Sequence, residues 1–124
     1  MLVRAAVQDD PLQARLAARI LERAEVVAVP VPAICEFVWV LRRIYKKSAS
    51  EISDAIRRLV RAPNVVTNGP AIEAGLSILD SGGDFADGVI AYEGHWLGAE
   101  EFVSFDSKAV AVLRSRGERA QLLA

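Results

Sequence analysis

Four carboxylates stand where the sequence sets helix beginnings and strand ends. Glu36 is the one charged residue between Ala28 and Leu41. A carboxylate among apolar neighbours must be paired, protonated or metal-bound if it is buried; the plain alternative is that it faces solvent and favours the helix dipole. Asp84 and Asp87 are spaced i, i+3 at the start of a helix, which puts them on one face with Cβ atoms roughly 5–6 Å apart. Helix capping accounts equally well for either of them. Asp106 ends an apolar strand and precedes a helix, and it too fits a cap. All four lie near helix N-termini. If they converge on one edge of a sheet, their charges repel unless a cation neutralises them, and an all-oxygen cluster suits Mg²⁺ or Mn²⁺. Such a cluster could generate hydroxide and hold a phosphate, as a metal-dependent phosphodiesterase requires.

The elements that must position these acids are set by apolar periodicity and by Pro, Gly, Ser and Asp punctuation. Pro11 to Ala24 reads as a helix with Leu12, Leu16, Ile20 and Leu21 on one stripe and Arg15, Arg19, Glu22 and Arg23 opposite. Val26 to Val29, ended by Pro30, reads as a strand buried on both faces. Pro32 starts a helix bearing Ile34, Phe37, Val38, Leu41, Ile44 and Tyr45, and a third helix runs from Ser50 to about Arg61 with Ile52, Ile56, Leu59 and Val60 inward. Val65 to Thr67 makes a minimal strand, and a helix from Pro70 carries Ile72, Leu76 and Leu79 until Gly82-Gly83 breaks it. Then come a helix Phe85–Leu97 capped by Asp84, a buried strand Phe102–Phe105, a helix Ser107–Arg116 and a strand Ala120–Leu123. The opening run Met1-Leu2-Val3 reads as the second half of a strand. This alternation predicts an α/β domain with a mainly parallel sheet, helices on both faces and ligand sites at the carboxyl ends of strands.

Composition agrees with one domain. With 124 residues, 52% of them hydrophobic and 25% charged, the chain can bury roughly two-thirds of its unfolded surface. The single Cys35 excludes an internal disulfide and suits a reduced, cytoplasmic compartment. No secretory signal is apparent, and no run approaches the ~18 apolar residues of a membrane span. A net charge of −1 gives no general attraction to nucleic acid. Recognition of RNA would rest on a metal or on a local patch such as Arg42, Arg43, Lys46 and Lys47 with Arg57, Arg58 and Arg61; a solvated helical face is the plain alternative. His95, the lone histidine, rules out multi-His metal sites and reads as a helix-end residue.

The fragments Ile34-Cys35-Glu36-Phe37-Val38-Trp39-Val40-Leu41, Asp84-Phe85-Ala86-Asp87-Gly88-Val89-Ile90-Ala91 and Val103-Ser104-Phe105-Asp106-Ser107-Lys108 resemble the three downstream acidic motifs of PIN-domain ribonucleases, in particular the VapC toxins of bacterial toxin–antitoxin pairs. Their order, their separations and the length of the chain agree, and the resemblance is specific as a set although each motif is weak by itself. It implies a three-layer α/β/α sandwich about a mainly parallel central sheet and a Mg²⁺- or Mn²⁺-dependent endoribonuclease activity. Glu36 and Asp87 become main acids, Asp84 an auxiliary carboxylate, Asp106 the acid of a Thr/Ser-x-Asp motif, and Ser104 the hydroxyl that orients metal ligands or the scissile phosphate. RNA is then the substrate, a VapB-like antitoxin the partner and a homodimer the assembly, with Trp39, Phe37 and Tyr45 divided between core and a docking patch.

The family's first motif, a strand ending in Asp-Thr-Asn, has no counterpart here, because Met1-Leu2-Val3-Arg4 matches only the residues C-terminal to that motif. The resemblance thus implies that residues 1–124 are one PIN domain, incomplete at the N-terminus and short of one metal ligand. A catalytically silent PIN-fold module acting through dimer or antitoxin contacts is the alternative. A receiver-like phosphorylation domain would need a phosphoacceptor Asp after a middle strand, which Val65-Val66-Thr67-Asn68 does not offer.

Overall fold

Local signals set most helix boundaries. In the computed structural model, which describes residues 1–7 and 9–124, the chain divides into two compact units, Met1–Asn68 and Gly69–Ala124. The first contains α1 (Leu2–Ala6), α2 (Pro11–Arg23), β1 (Val27–Ala28), α3 (Val31–Arg43), α4 (Ala49–Arg61) and β2 (Val65–Val66). The second contains α5 (Gly69–Asp80), α6 (Phe85–Trp96), β3 (Phe102–Ser104), α7 (Ser107–Ser115) and β4 (Ala120–Leu122). The protein is mixed α/β and predominantly helical, and its strands pair in parallel as expected. They form two two-stranded sheets, β1–β2 with Val27 opposite Val65 and β3–β4 with Phe102 opposite Ala120.

In the first unit, α3 buries Val31, Ile34, Phe37, Val38 and Leu41, while Ile44, expected inward, is exposed. Helix α4 starts earlier than Ser50 because Ser48 caps it. Ser48 Oγ accepts from Glu51 N at 3.1 Å, and Glu51 Oε1 accepts from Ser48 N at 3.0 Å, a reciprocal box that satisfies two otherwise orphaned donors. Those bonds, that of the Ser48 N–H foremost, hold the Glu51 carboxyl below its ordinary pKa. Ile52 and Ile56 point inward as expected, with Leu59 and Val60 only half-buried, and the buried Ser53 hydroxyl accepts from Arg57. Asn64 Nδ2 donates to Leu21 O at 2.7 Å and Ala24 O at 3.0 Å, tying the end of α2 to the start of β2.

Three further expectations fail in this unit. Helix α2 buries Ala14 and Ala17 and turns Leu12, Leu16 and Ile20 to solvent. At 100° per residue the alanines and Leu21 share the face opposite that stripe, and small side chains let the helix approach its neighbours closely. Strand β1 is not buried on both faces, because Val26 and Ala28 are exposed. Nor is the opening run a strand. Residues Leu2–Ala6 form a short helix that satisfies its own backbone, with Ala5 N donating to Met1 O and Val7 N to Val3 O.

Helix α1 is at most half-buried where it packs on α2 and α3, and a polar clip adds to its anchoring. Asp9 accepts from Tyr45 OH at 2.8 Å and from Arg4 Nη1 at 3.0 Å. The Tyr45 hydroxyl, aided by Arg4, depresses the Asp9 pKa, and Asp9 in turn raises that of Tyr45. A depressed carboxylate contributes above its unfolded pKa and ceases to contribute as pH falls through its folded value; a raised phenol contributes below its unfolded pKa and ceases as pH rises through its folded value. The clip therefore spans the neutral range. Tyr45→Phe should speed amide hydrogen exchange at Ala5 and Val7 while leaving the global unfolding transition nearly unchanged. Identical protection in the two proteins would show that α1 does not depend on Asp9.

In the second unit, α5 buries Ala71, Ile72, Gly75, Leu76, Ile78 and Leu79, in line with the Ile72/Leu76/Leu79 stripe. Helix α6 packs on it through Phe85, Gly88 and Val89. A Cβ at Gly88 would lie 2.3 Å from the Ala74 carbonyl oxygen, and one at Gly75 would lie 2.5 Å from the Phe85 ring. The two helices can meet this closely only because both positions lack a side chain. Ile78, Val110, Leu113 and Ala120 form a second cluster joined by Phe102, and Arg114 Nε donates to Ala120 O at 2.9 Å. Here too the expected fully buried strand is half open, since Val103 and Phe105 are exposed.

Candidate acidic site

The site is built from two helix starts in the second unit. Gly82, at φ +92°, and Gly83 turn the chain after α5. Asp84 then caps α6, its Oδ1 accepting from Ala86 N at 3.2 Å. Asp106 caps α7, its Oδ1 accepting from Lys108 N at 2.9 Å and Ala109 N at 3.2 Å. Ser104 Oγ accepts from Asp106 N at 2.9 Å, which fixes the turn between β3 and α7 and leaves the hydroxyl proton to be donated elsewhere. The capping reading of Asp84 and Asp106 is thus correct, and it does not exclude a second role for their remaining lone pairs.

Asp87 is different. Its backbone N–H bonds Asp84 O at 3.1 Å, and among the described residues its carboxylate accepts no capping hydrogen bond. It is half-buried, and its pKa is raised first by that burial, then by the charges of Asp84 and Asp106 and by a hydrogen bond with Asp106. The nearby carboxylates therefore disfavour the ionised form of Asp87, and a cation beside it would offset that repulsion. The close α5–α6 crossing holds this arrangement, because Gly88 follows Asp87 directly. Sequence reading missed that crossing. Its signal was two glycines, Gly75 and Gly88, inside helical patterns, where an interior glycine marks close backbone approach.

A divalent cation fits the donor set in one way. Mg²⁺ is commonly held by one or two carboxylates and keeps waters and phosphate oxygens in its other positions, which Asp87 and Asp106, with Asp84 beside them, can supply. A cage made by protein alone is not present: among the described residues no three His, Cys, Asp or Glu side chains are grouped to hold a metal.

Of the expected site residues, Asp87 feels the charges of Asp84 and Asp106, and Ser104 bonds the Asp106 backbone, although among the described residues the three acids are not grouped closely enough to hold a metal by themselves. Glu36 belongs to the first unit, in the second turn of α3, where it is exposed; for this acid the solvent-facing alternative describes its position. Cys35 is half-buried, and His95 is exposed near the end of α6. A cavity of about 470 Å³ in the first unit, floored by Leu21, Phe37, Leu41 and Leu59, contains none of the four acids. Nor does one of about 480 Å³ in the second, beside Ile90, Phe102 and Glu118. Comparison of the chain with protein families, with curated proteins and with solved structures finds no match.

Proposed function

We propose that the chain is a metal-dependent endoribonuclease of the PIN type, acting as a VapC-like toxin. One observation carries the reading: a half-buried carboxyl, Asp87, with its pKa raised by burial and by two other carboxylates that are each fixed by a helix N-terminus. An acid in the first turn of α6 suits the helix dipole, but the burial and the two like charges beside Asp87 work against it. In this reading Asp87 and Asp106 hold Mg²⁺ or Mn²⁺, with Asp84 as an auxiliary carboxylate. When bound, the cation supplies Lewis acidity that turns water into a nucleophile at neutral pH and neutralises a phosphodiester. The rest falls to the chain's own groups. Backbone N–H groups of Lys108 and Ala109 lock the Asp106 carboxylate in one orientation, Ser104 positions Asp106 and offers its hydroxyl proton to a phosphate oxygen, and Glu36 serves as a further acid on the exposed face of α3.

The same reading carries the finer architecture, a three-layer sandwich about a central parallel sheet. With it come a cytoplasmic setting, a homodimer and neutralisation by a VapB-like antitoxin. No helix among the described residues is long and apolar enough to cross a membrane. The rival reading is a PIN-fold module without catalysis that acts through dimer or antitoxin contacts. The experiment is cleavage of unstructured RNA by the purified chain with Mn²⁺ or Mg²⁺ and with EDTA. Metal-dependent cleavage that EDTA abolishes is expected, with Glu36→Gln slower by on the order of 10²-fold. A chain that folds yet cuts no RNA with either metal would replace the nuclease by the binding module.

A further inference from the structure

A large aromatic ring is out of place on α3. The inward positions of this helix are filled by Ile34, Phe37, Val38 and Leu41, whereas Trp39 is 57% exposed. At 100° per residue, Glu36, Trp39 and Arg43 fall within about 60° of one another on the outer face, in the order i, i+3, i+7. Arg42, Arg43 and Lys46 are exposed, and among the described residues none of them forms an ion pair. The helix therefore presents an acid, one flat π-surface and then the cations Arg42 and Arg43, with Lys46 in the turn just after its end.

We propose that Trp39 is a stacking platform for one unpaired base of a single-stranded RNA, with Arg43 and its neighbours Arg42 and Lys46 receiving the adjoining phosphates. The inference rests on the nuclease reading and deepens it by naming the form of the substrate. A protein-docking core would be apolar and depleted of charge, but Trp39 has charged residues on either side of it along this face. Aromatic rings bind any base through its π-face when the strand is open, and bases inside a duplex do not offer that face. The ring lies three residues from the acid, about 4.5 Å of rise, and Arg43 one turn beyond the ring, so a base stacked on Trp39 has its adjoining phosphates within reach of the cations and away from Glu36. The other tryptophan makes a useful contrast. Trp96 is exposed too, but it packs edge-on to Tyr92 at 6.5 Å and has Glu93, Glu100 and Glu101 near it in sequence, a setting that repels phosphate.

The chain has two tryptophans, so Trp96→Phe leaves Trp39 as the sole tryptophan reporter. With EDTA present to prevent cleavage, an unstructured ten-nucleotide adenosine oligomer should quench its emission saturably, and the same oligomer annealed to its complement should not. Trp39→Ala should weaken binding of the labelled single strand roughly tenfold, Trp39→Phe much less, and Arg43→Ala should lower the slope of log K against log salt by about one unit. In Mn²⁺, Trp39→Ala should raise the KM for cleavage with little change in kcat. Absence of quenching, equal quenching by duplex, or unchanged affinity and KM in Trp39→Ala would overturn the platform. Quenching and Trp39-dependent binding without cleavage in any metal would keep the platform and sink the nuclease; cleavage indifferent to Trp39 would do the reverse.

Discussion

Asp87→Asn should yield a chain that is inactive on RNA and slightly more stable than the natural one. The carboxyl of Asp87 is held above its ordinary pKa by burial and by Asp84 and Asp106. Between the unfolded and the raised folded value the native state binds the extra proton, so stability falls as pH rises through that window. Asparagine carries no charge beside Asp84 and Asp106 and so relieves that repulsion. Because Asp87 is only half-buried, solvent screening keeps the gain to about 0.5 kcal/mol, or roughly 2 °C in Tm. Cleavage should drop by on the order of 10²–10³-fold. Mn²⁺ should raise the Tm of the natural chain with increasing concentration, as any ligand of the native state does, and leave that of Asp87→Asn nearly fixed. Thermal scans from pH 4 to 8, with and without Mn²⁺, provide the check. A destabilised variant would remove the repulsion from the account, and retained cleavage would remove Asp87 from the chemistry.

Gly88→Ala should be damaging where helix propensity says it should help. Inside a helix, alanine is preferred to glycine by up to about 1 kcal/mol. At Gly88, though, the new Cβ would meet the Ala74 carbonyl oxygen at 2.3 Å and Gly75 Cα at 2.8 Å. Both are backbone atoms, so no rotamer change relieves the contact and α6 must move off α5. A loss of about 1–3 kcal/mol is expected. The shift also displaces Asp87, the neighbouring residue, and should reduce metal-dependent cleavage. Gly94→Ala on the same helix is the control, since its Cβ has nothing closer than Ala99 Cβ at 3.8 Å; that variant should be neutral or stabilised. Denaturant midpoints that move in opposite directions are the expected result, and equal midpoints would mean that the helices are less tightly crossed.

The parts of the fold that were legible in the sequence are those written in short-range chemistry. Pro11 at the start of α2, Asp84 and Asp106 as caps, Gly82-Gly83 after α5 and the parallel pairing of short apolar strands all obey local rules. The Asp84/Asp87 spacing likewise put two acids on one face. Periodicity does not specify which stripe turns inward. In α2 both faces are apolar, one of leucine and isoleucine and one of alanine, and size alone suggested the wrong one. The approach of Asp106 to Asp87 spans a strand and a turn and has no local signature. Likewise, the opening run could not show that it would satisfy its backbone within a helix rather than in a ladder.

The outward stripe on α2 also bears on how molecules of this protein behave toward one another in bulk. Leu12, Leu16 and Ile20 give each copy an adhesive strip, and a net charge of −1 at pH 7 supplies almost no long-range repulsion to keep copies apart. Colloidal stability must then come from local charges, chiefly Arg15 and Arg19, which at 100° per residue flank the strip and do not lie opposite it as expected. High salt, by screening those arginines, leaves the strip unguarded.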